Sequence, residues 1–128
     1  MTALTVLIVD DDADMRLYLR SCLRSLDGRV ERVIEAADGL EALPLASSGF
    51  VHVVISDVVL PGMDGYRLCR TIKEDPELRH IVVLLISGQD GGPPASIAAD
   101  GFLAKPFNAS QLQTALGRLL PDRPRAPP

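Results

Sequence analysis

At 128 residues the chain has the length of one domain, enough to bury roughly two-thirds of the surface its unfolded form exposes. Its 47% apolar and 23% charged residues exclude a disordered chain. Thirteen Lys+Arg against seventeen Asp+Glu leave a net charge of −4, so the basic surface that releases phosphate counterions is missing and direct nucleic-acid binding is not expected. No apolar run approaches the roughly 20 residues of a membrane span. The stretch before Asp10 carries no cationic segment, so it does not read as a secretory signal. Cys22 and Cys69 do not make a disulfide framework. The expectation is a soluble, cytoplasmic, single-domain protein. Eleven of the thirteen cations are Arg; only Lys73 and Lys105 are lysines, which singles both out.

Along the chain, strand-like and helix-like patterns alternate. Residues 5–9 (TVLIV) form a short continuous apolar run, as in a strand buried on both faces. After Asp10, Asp11 and Asp12, a helical face follows with Met15, Leu19, Cys22, Leu23 and Leu26, ended by Gly28. Arg16, Arg20 and Arg24 line another face, most simply a solvated one. Residues 30–36 (VERVIEA) read as a more polar strand nearer an edge. A second helix runs through Leu40, Leu43 and Ala46, kinked or shortened by Pro44. Residues 51–56 (VHVVIS) are a third, central strand with Asp57 at its end. The loop 58–64 leads to a third helix over 65 to about 74, closed by Pro76. Residues 81–86 (IVVLLI) are a fourth strand and 102–104 a short fifth. A last helix runs from Asn108 or Ser110 to Leu120. The tail 121–128 (PDRPRAPP) holds four prolines in eight residues and reads as a disordered tail or linker stub beyond a domain at 1–120.

Successive βα units imply an α/β fold: a parallel sheet with helices on both faces. The expected form is a doubly wound, flavodoxin-like sheet of five strands in the order 2-1-3-4-5. Such sheets bind ligands beyond the carboxyl ends of their strands, at the switch point between strands 1 and 3. Asp10 and Asp11 follow strand 1, Asp57 follows strand 3, Ser87 follows strand 4 and Lys105 follows strand 5. Four strands thus deliver a reactive residue to one rim. Three converging carboxylates repel one another unless a cation is present. Lys105 supplies one charge, and an all-oxygen donor set calls for a hard ion, Mg²⁺ or Mn²⁺. Metal and Lys together would neutralise a transferring phosphoryl group.

These pieces (VLIVDDD at 6–12, DVVLPGMDG at 57–65, Ser87-Gly88 after an apolar strand, FLAKPF at 102–107) resemble the response-regulator receiver domain of two-component signalling, over roughly residues 4–120. The resemblance implies that Asp57 is the phosphoacceptor, that Asp11 binds metal directly and Asp10 largely through water, and that the backbone carbonyl of Val59 is a further contact. Ser87 and Lys105 would hold phosphoryl oxygens. Gly88 would leave room for the phosphoryl group, and Gln89 and Val59 would flank it. The Lys105-Pro106 bond would be cis, and Phe102 would be the aromatic that rotates inward as Ser87 moves. The implied donor is a phosphohistidine on a sensor histidine kinase or histidine phosphotransfer protein. The domain would catalyse its own phosphorylation and usually its own hydrolysis, without turning over an external substrate. Its output is a shift between two conformations.

One segment departs from the family pattern. Residues 87–105 form a shorter connection than usual and contain Gly91, Gly92, Pro93 and Pro94. What remains for a fourth helix is about 95–99, little more than one turn, so a short or irregular helix and a mobile loop are expected there.

Plainer readings exist for each residue alone. Asp10–Asp12 could be a helix cap with first-turn acids, Asp57 a loop acid, Ser87 a strand-end hydroxyl and Lys105 a surface cation. His52 and His80 sit at the opposite end of the sheet from Asp57, and Cys22 and Cys69 read as small buried hydrophobes. Competing functions are a receiver-shaped interaction module that signals without phosphate, a receiver cut from a longer regulator with an output domain, an aspartyl-phosphate phosphatase and a flavin binder. The first expects loss of the acid pocket, the acceptor or the Lys. The phosphatase wants Thr or Val where Asp14 stands, and the flavin binder wants a phosphate loop where three Asp stand.

Overall fold

Strands and helices alternate as β1 (Leu4–Val9), α1 (Ala13–Leu23), β2 (Val30–Ala36), α2 (Gly39–Ala46), β3 (Val53–Asp57), α3 (Gly65–Glu74), β4 (Val82–Ser87), β5 (Gly101–Ala104) and α4 (Ala109–Leu119). This computed structural model describes residues 4–24, 26, 28–88 and 97–120. The five strands are parallel, as the alternation of elements predicts, and their order is β2-β1-β3-β4-β5, the doubly wound form expected. β1 and β3 are buried at every position, which is why they read as continuous apolar runs. β2, at an edge, is half-exposed along most of its length.

Alternate side chains of each strand enter two separate cores. Leu7, Val9, Val54 and Leu85 pack with Leu68, Cys69 and Ile72 of α3 and Ala42 and Ala46 of α2. Val6, Ile8, Ile55, Leu84 and Ile86 pack on the other face with Leu19 and Leu23 of α1 and Leu112 and Leu116 of α4. Each fully buried Leu or Ile contributes about 1.5–3 kcal/mol relative to an exposed one.

Among the described residues, all four helices start on an Asx cap. Asp12, Asp38, Asp64 and Asn108 accept from Asp14 N, Glu41 N, Arg67 N and Gln111 N, and Asn108 with Gln111 completes a capping box. These caps fix where the chain turns from strand into helix at the carboxyl rim. Pro44 lies inside α2, which ends after eight residues, since proline withdraws a backbone donor from the helix.

One expectation is met only in part and another changes. The helix expected over about 95–99 falls partly on 89–96, outside the described residues; Ile97, Ala98 and Ala99 are described and are not helical. The reason lies in Asp100, whose N–H donates to Val83 O at 3.0 Å and draws the chain alongside β4. Among the described residues there are four helices, and α4 follows β5. Arg16 and Arg20 do not form a solvated face: both pair with Glu35 of β2, at 2.9 and 2.7 Å. Arg24 is exposed. The Pro-rich tail expected at 121–128 lies outside the described residues.

Candidate functional site

The carboxyl ends of β1, β3, β4 and β5 meet at one rim. Asp57 is the last residue of β3, 9% exposed, and Asp10 directly follows β1, 3% exposed. Carboxylate oxygens of Asp10, Asp11 and Asp57 lie within 4.8 Å of one another. Lys105, just past β5, places Nζ 3.1 Å from Asp57 Oδ2. Its own N–H donates to Ser87 O at 2.8 Å, which seats the β5 end against the β4 end. Ser87 is 1% exposed.

The three consecutive aspartates do three different jobs. Asp10 Oδ1 accepts from Asp12 N at 2.9 Å, Asp12 caps α1, and Asp11 stays exposed toward the cleft. Burial raises the Asp10 pKa above the ordinary carboxylate range; the Asp12 N–H and Lys105 oppose that, while Asp57 and Asp11 add to it. A group that resists ionising beside two other carboxylates is a place where a cation is favoured. The donor set is all oxygen, with no Cys or His, so the residues fit a hard divalent ion such as Mg²⁺.

The loop from Val58 to Asp64 forms the floor. Val58 N donates to Ile86 O, and Val58 O accepts from Gly65 N at 2.8 Å. Val59, by contrast, is exposed. The Lys105-Pro106 bond is cis. A Cβ at Gly88 would meet nothing within 4 Å. Phe102 is half-buried against the α2–α3 side of the core. Gln89 lies outside the described residues. His52 is at the other end of the sheet, where its Nδ1 accepts from Thr5 N at 3.0 Å, and His80 is exposed. Cys69 is fully buried, and burial pushes its thiol pKa up to about 11, so it behaves as a core hydrophobe.

Two supporting residues are not evident from the sequence. Arg16 donates from Nη1 to Asp10 O at 2.7 Å and from Nε to Glu35 at 2.9 Å, bracing the backbone under the acids. A Glu in a strand otherwise flanked by Val33, Ile34 and Ala36 is the signal for it. Gly65, the first residue of α3, is a close approach: a Cβ there would sit 2.2 Å from Asp57 O. Beside the site, Met15, Tyr18, Gly88, Lys105, Pro106 and Phe107 line an apolar cavity of about 460 Å³, with the Tyr18 and Phe107 rings 5.9 Å apart.

The fold, with acids and a lysine gathered at its carboxyl rim, matches the receiver domain that the sequence resembles, and comparison with known proteins agrees. The chain belongs to the Response regulator receiver domain family, which matches residues 6–117. It is 36% identical over 118 residues to Chemotaxis protein CheY-3 of Vibrio cholerae, covering 89% of each chain. The solved chemotaxis response regulator CheY4 of Vibrio cholerae is 32% identical with a TM-score of 0.81, over 93% of this chain and 100% of that one. The receiver domain of a Pseudomonas aeruginosa sensor histidine kinase is 26% identical with a TM-score of 0.78, over 92% and 98% of the two chains. It was solved with a magnesium ion coordinated in its active-site cleft. Among the described residues, no helix is long and apolar enough to cross a membrane.

Proposed function

We propose that this receiver domain, spanning residues 1–120, accepts a phosphoryl group on Asp57 from a phosphohistidine of a sensor histidine kinase or histidine phosphotransfer protein, in the cytoplasm. The observation that carries the reading is the contact of Lys105 Nζ with Asp57 Oδ2 at 3.1 Å, beside carboxylate oxygens of Asp10 and Asp11. A carboxylate attacks phosphorus without first giving up a proton to a base, so the absence of His from the rim is no obstacle. The new O–P bond forms at Asp57 as the P–N bond to the donor imidazole breaks. The imidazole keeps the electron pair and takes a proton from solvent. Lys105 offsets the negative charge that gathers on the phosphoryl oxygens. The Ser87 hydroxyl, at the end of β4, donates to one of them. Gly88 leaves room for the group, and Gln89 and Val59 flank it.

Asp10, Asp11, Asp57 and the Val59 carbonyl would hold Mg²⁺, with Mn²⁺ as a substitute. When bound, the ion supplies the positive charge that draws the phosphoryl oxygens toward the acids. Phosphorylation then biases two conformations, through Ser87 moving toward the phosphoryl group and Phe102 turning inward. Water later hydrolyses the acyl phosphate, returning Asp57 and inorganic phosphate, with no external substrate turned over. A module that signals without phosphate would have no need of the acids, Ser87 and Lys105 together, and all are present.

Intact mass after incubation with acetyl phosphate and Mg²⁺ tests this. One phosphoryl increment is expected, dependent on Mg²⁺ and absent from Asp57→Asn. An increment that persists in that variant would overturn the assignment. So would its absence from folded wild-type protein given both acetyl phosphate and a phosphorylated kinase.

A further inference from the structure

The chain has two lysines among thirteen cations, and the second is not a surface residue. Lys73, in the last turn of α3, is 14% exposed at its side chain. Its ammonium meets three oxygens: Asp100 Oδ2 at 2.6 Å, Ile81 O at 2.5 Å and Arg79 O at 3.2 Å. Three converging acceptors match the three donors of an ammonium, which a planar guanidinium cannot direct to one point. That accounts for Lys in a chain that otherwise uses Arg.

Asp100 is held from two further directions. Its Oδ2 accepts from Val83 N at 2.8 Å, and its N–H donates to Val83 O at 3.0 Å. Regular pairing of β5 with β4 begins just beyond, Leu84 with Gly101, and runs to Ser87 with Ala104. The Asp100 side chain therefore supplies Val83 with the acceptor that strand pairing supplies only above it. Lys73 ties that carboxylate to α3 and to the turn entering β4. β5 is only four residues long, and Lys105 lies five residues beyond Asp100, about 16 Å of extended chain. A slip of one residue in so short a strand would send every β5 side chain to the opposite face, and the end that follows it would no longer present Lys105 to Asp57.

We infer that Asp100, held by Lys73, is a positioning residue for Lys105: its two hydrogen bonds with Val83 pin the register of β5 on β4 and so set the ammonium against Asp57. The inference rests on the phosphoacceptor reading above. It assigns a role in that chemistry to a pair on the far side of β4 and β5 from the rim.

The test compares Asp100→Ala, Asp100→Asn and Lys73→Met with wild type, each shown folded by circular dichroism, in phosphorylation by acetyl phosphate with Mg²⁺. Asp100→Ala removes the acceptor for Val83 N–H; Asp100→Asn keeps one. The maximal rate is expected to fall about tenfold in Asp100→Ala, since small misplacements of a catalytic group cost up to about 100-fold. The half-saturating acetyl phosphate concentration should stay unchanged. Asp100→Asn should return the rate to within about twofold of wild type on the same principle. Amide resonances of Ser87, Ala104 and Lys105 should shift in Asp100→Ala and revert in Asp100→Asn, a pattern that a general loss of stability would not give. An unchanged maximal rate in folded Asp100→Ala, or an Asn variant as slow as the Ala variant, would overturn the inference. Should Asp100→Ala not fold, Lys73→Met carries the test: a slower maximal rate with the same amide shifts supports the pin, and wild-type resonances at the three residues overturn it. Failure of the phosphoacceptor reading looks different, because wild type itself would then take up no phosphate.

Discussion

The two halves of the carboxyl rim are built by different means. On the β1/β3 side, each acid is placed mainly by chain within a few residues of it, with a brace from Arg16 and Glu35 beneath Asp10. Asp10 is tied to Asp12 N, Asp12 caps α1, and the turn after Asp57 closes through the Gly65 N–H to Val58 O bond. On the β4/β5 side, Ser87 and Lys105 take their places from the register of a four-residue strand, and the residues gripping its start, Asp100 and Lys73, are far from the rim. The anionic half is coded locally and the cationic half by tertiary contacts. Substitution should therefore damage the first half mainly at the residue changed or at the backbone it touches, and the second half from a distance.

The largest effect that sharpens this contrast is at Lys105. Lys105→Met should slow phosphorylation by acetyl phosphate about 100-fold, the scale of losing one preorganised charge at a transferring group, while the fold stays intact; stopped-flow phosphorylation and urea melts check both halves. A loss under threefold would break the idea that the cationic half contributes to transfer.

Next in size is Gly65→Ala. The added Cβ would lie 2.2 Å from Asp57 O and 2.8 Å from Val58 Cα, both backbone atoms that cannot step aside cheaply. The expected cost is about 1–3 kcal/mol, as for other overpacked sites, read as a lower urea midpoint, with phosphorylation slowed because the displaced residue is Asp57 itself. An unchanged midpoint would mean that the floor of the anionic half is softer than its hydrogen bonds imply.

The smallest effect is at Glu35. Hydrogen bonds from Arg20, and then Arg16, hold its carboxyl below the ordinary carboxylate range against a smaller opposing effect of burial. A lowered folded-state pKa contributes stability that is present at neutral pH and lost as pH falls through that value. The pair is about a third exposed, so Glu35→Gln should cost no more than about 1 kcal/mol at pH 7. That difference should shrink to nothing as the pH falls below the ordinary carboxylate range. A difference that grows on acidification would contradict the assigned sign.

The same contrast explains what the sequence makes legible. Parallel strands buried on both faces leave unbroken apolar runs, and Asx caps mark the helix starts, so the parallel sheet could be read directly; periodicity does not fix the order of its strands, which is expected only as the common doubly wound form. The residues brought to the rim all end a strand or follow it within two positions, which a linear pattern reveals. Arg16, Gly65 and the Lys73–Asp100 pair could not be read that way. Arg16 depends on Glu35, 19 residues away, and Asp100 meets Val83 across a connection of 17. The close approach at Gly65 exists only once the loop after β3 has folded back on Asp57 O. Where the short or irregular helix before β5 is described, at 97–99, the chain is not helical for a related reason: the bonds of Asp100 to Val83 favour extended chain there.

The most direct test of the central claim, that Asp57 carries the phosphoryl group, is borohydride reduction of phosphorylated protein followed by peptide mass mapping. An aspartyl phosphate is reduced to a homoserine side chain, whereas a phosphoester or phosphoramidate is not. The account predicts that product at position 57 alone, and only after incubation with Mg²⁺ and a phosphodonor. Homoserine at another carboxylate, or a phosphorylated protein with no reducible site, would contradict it.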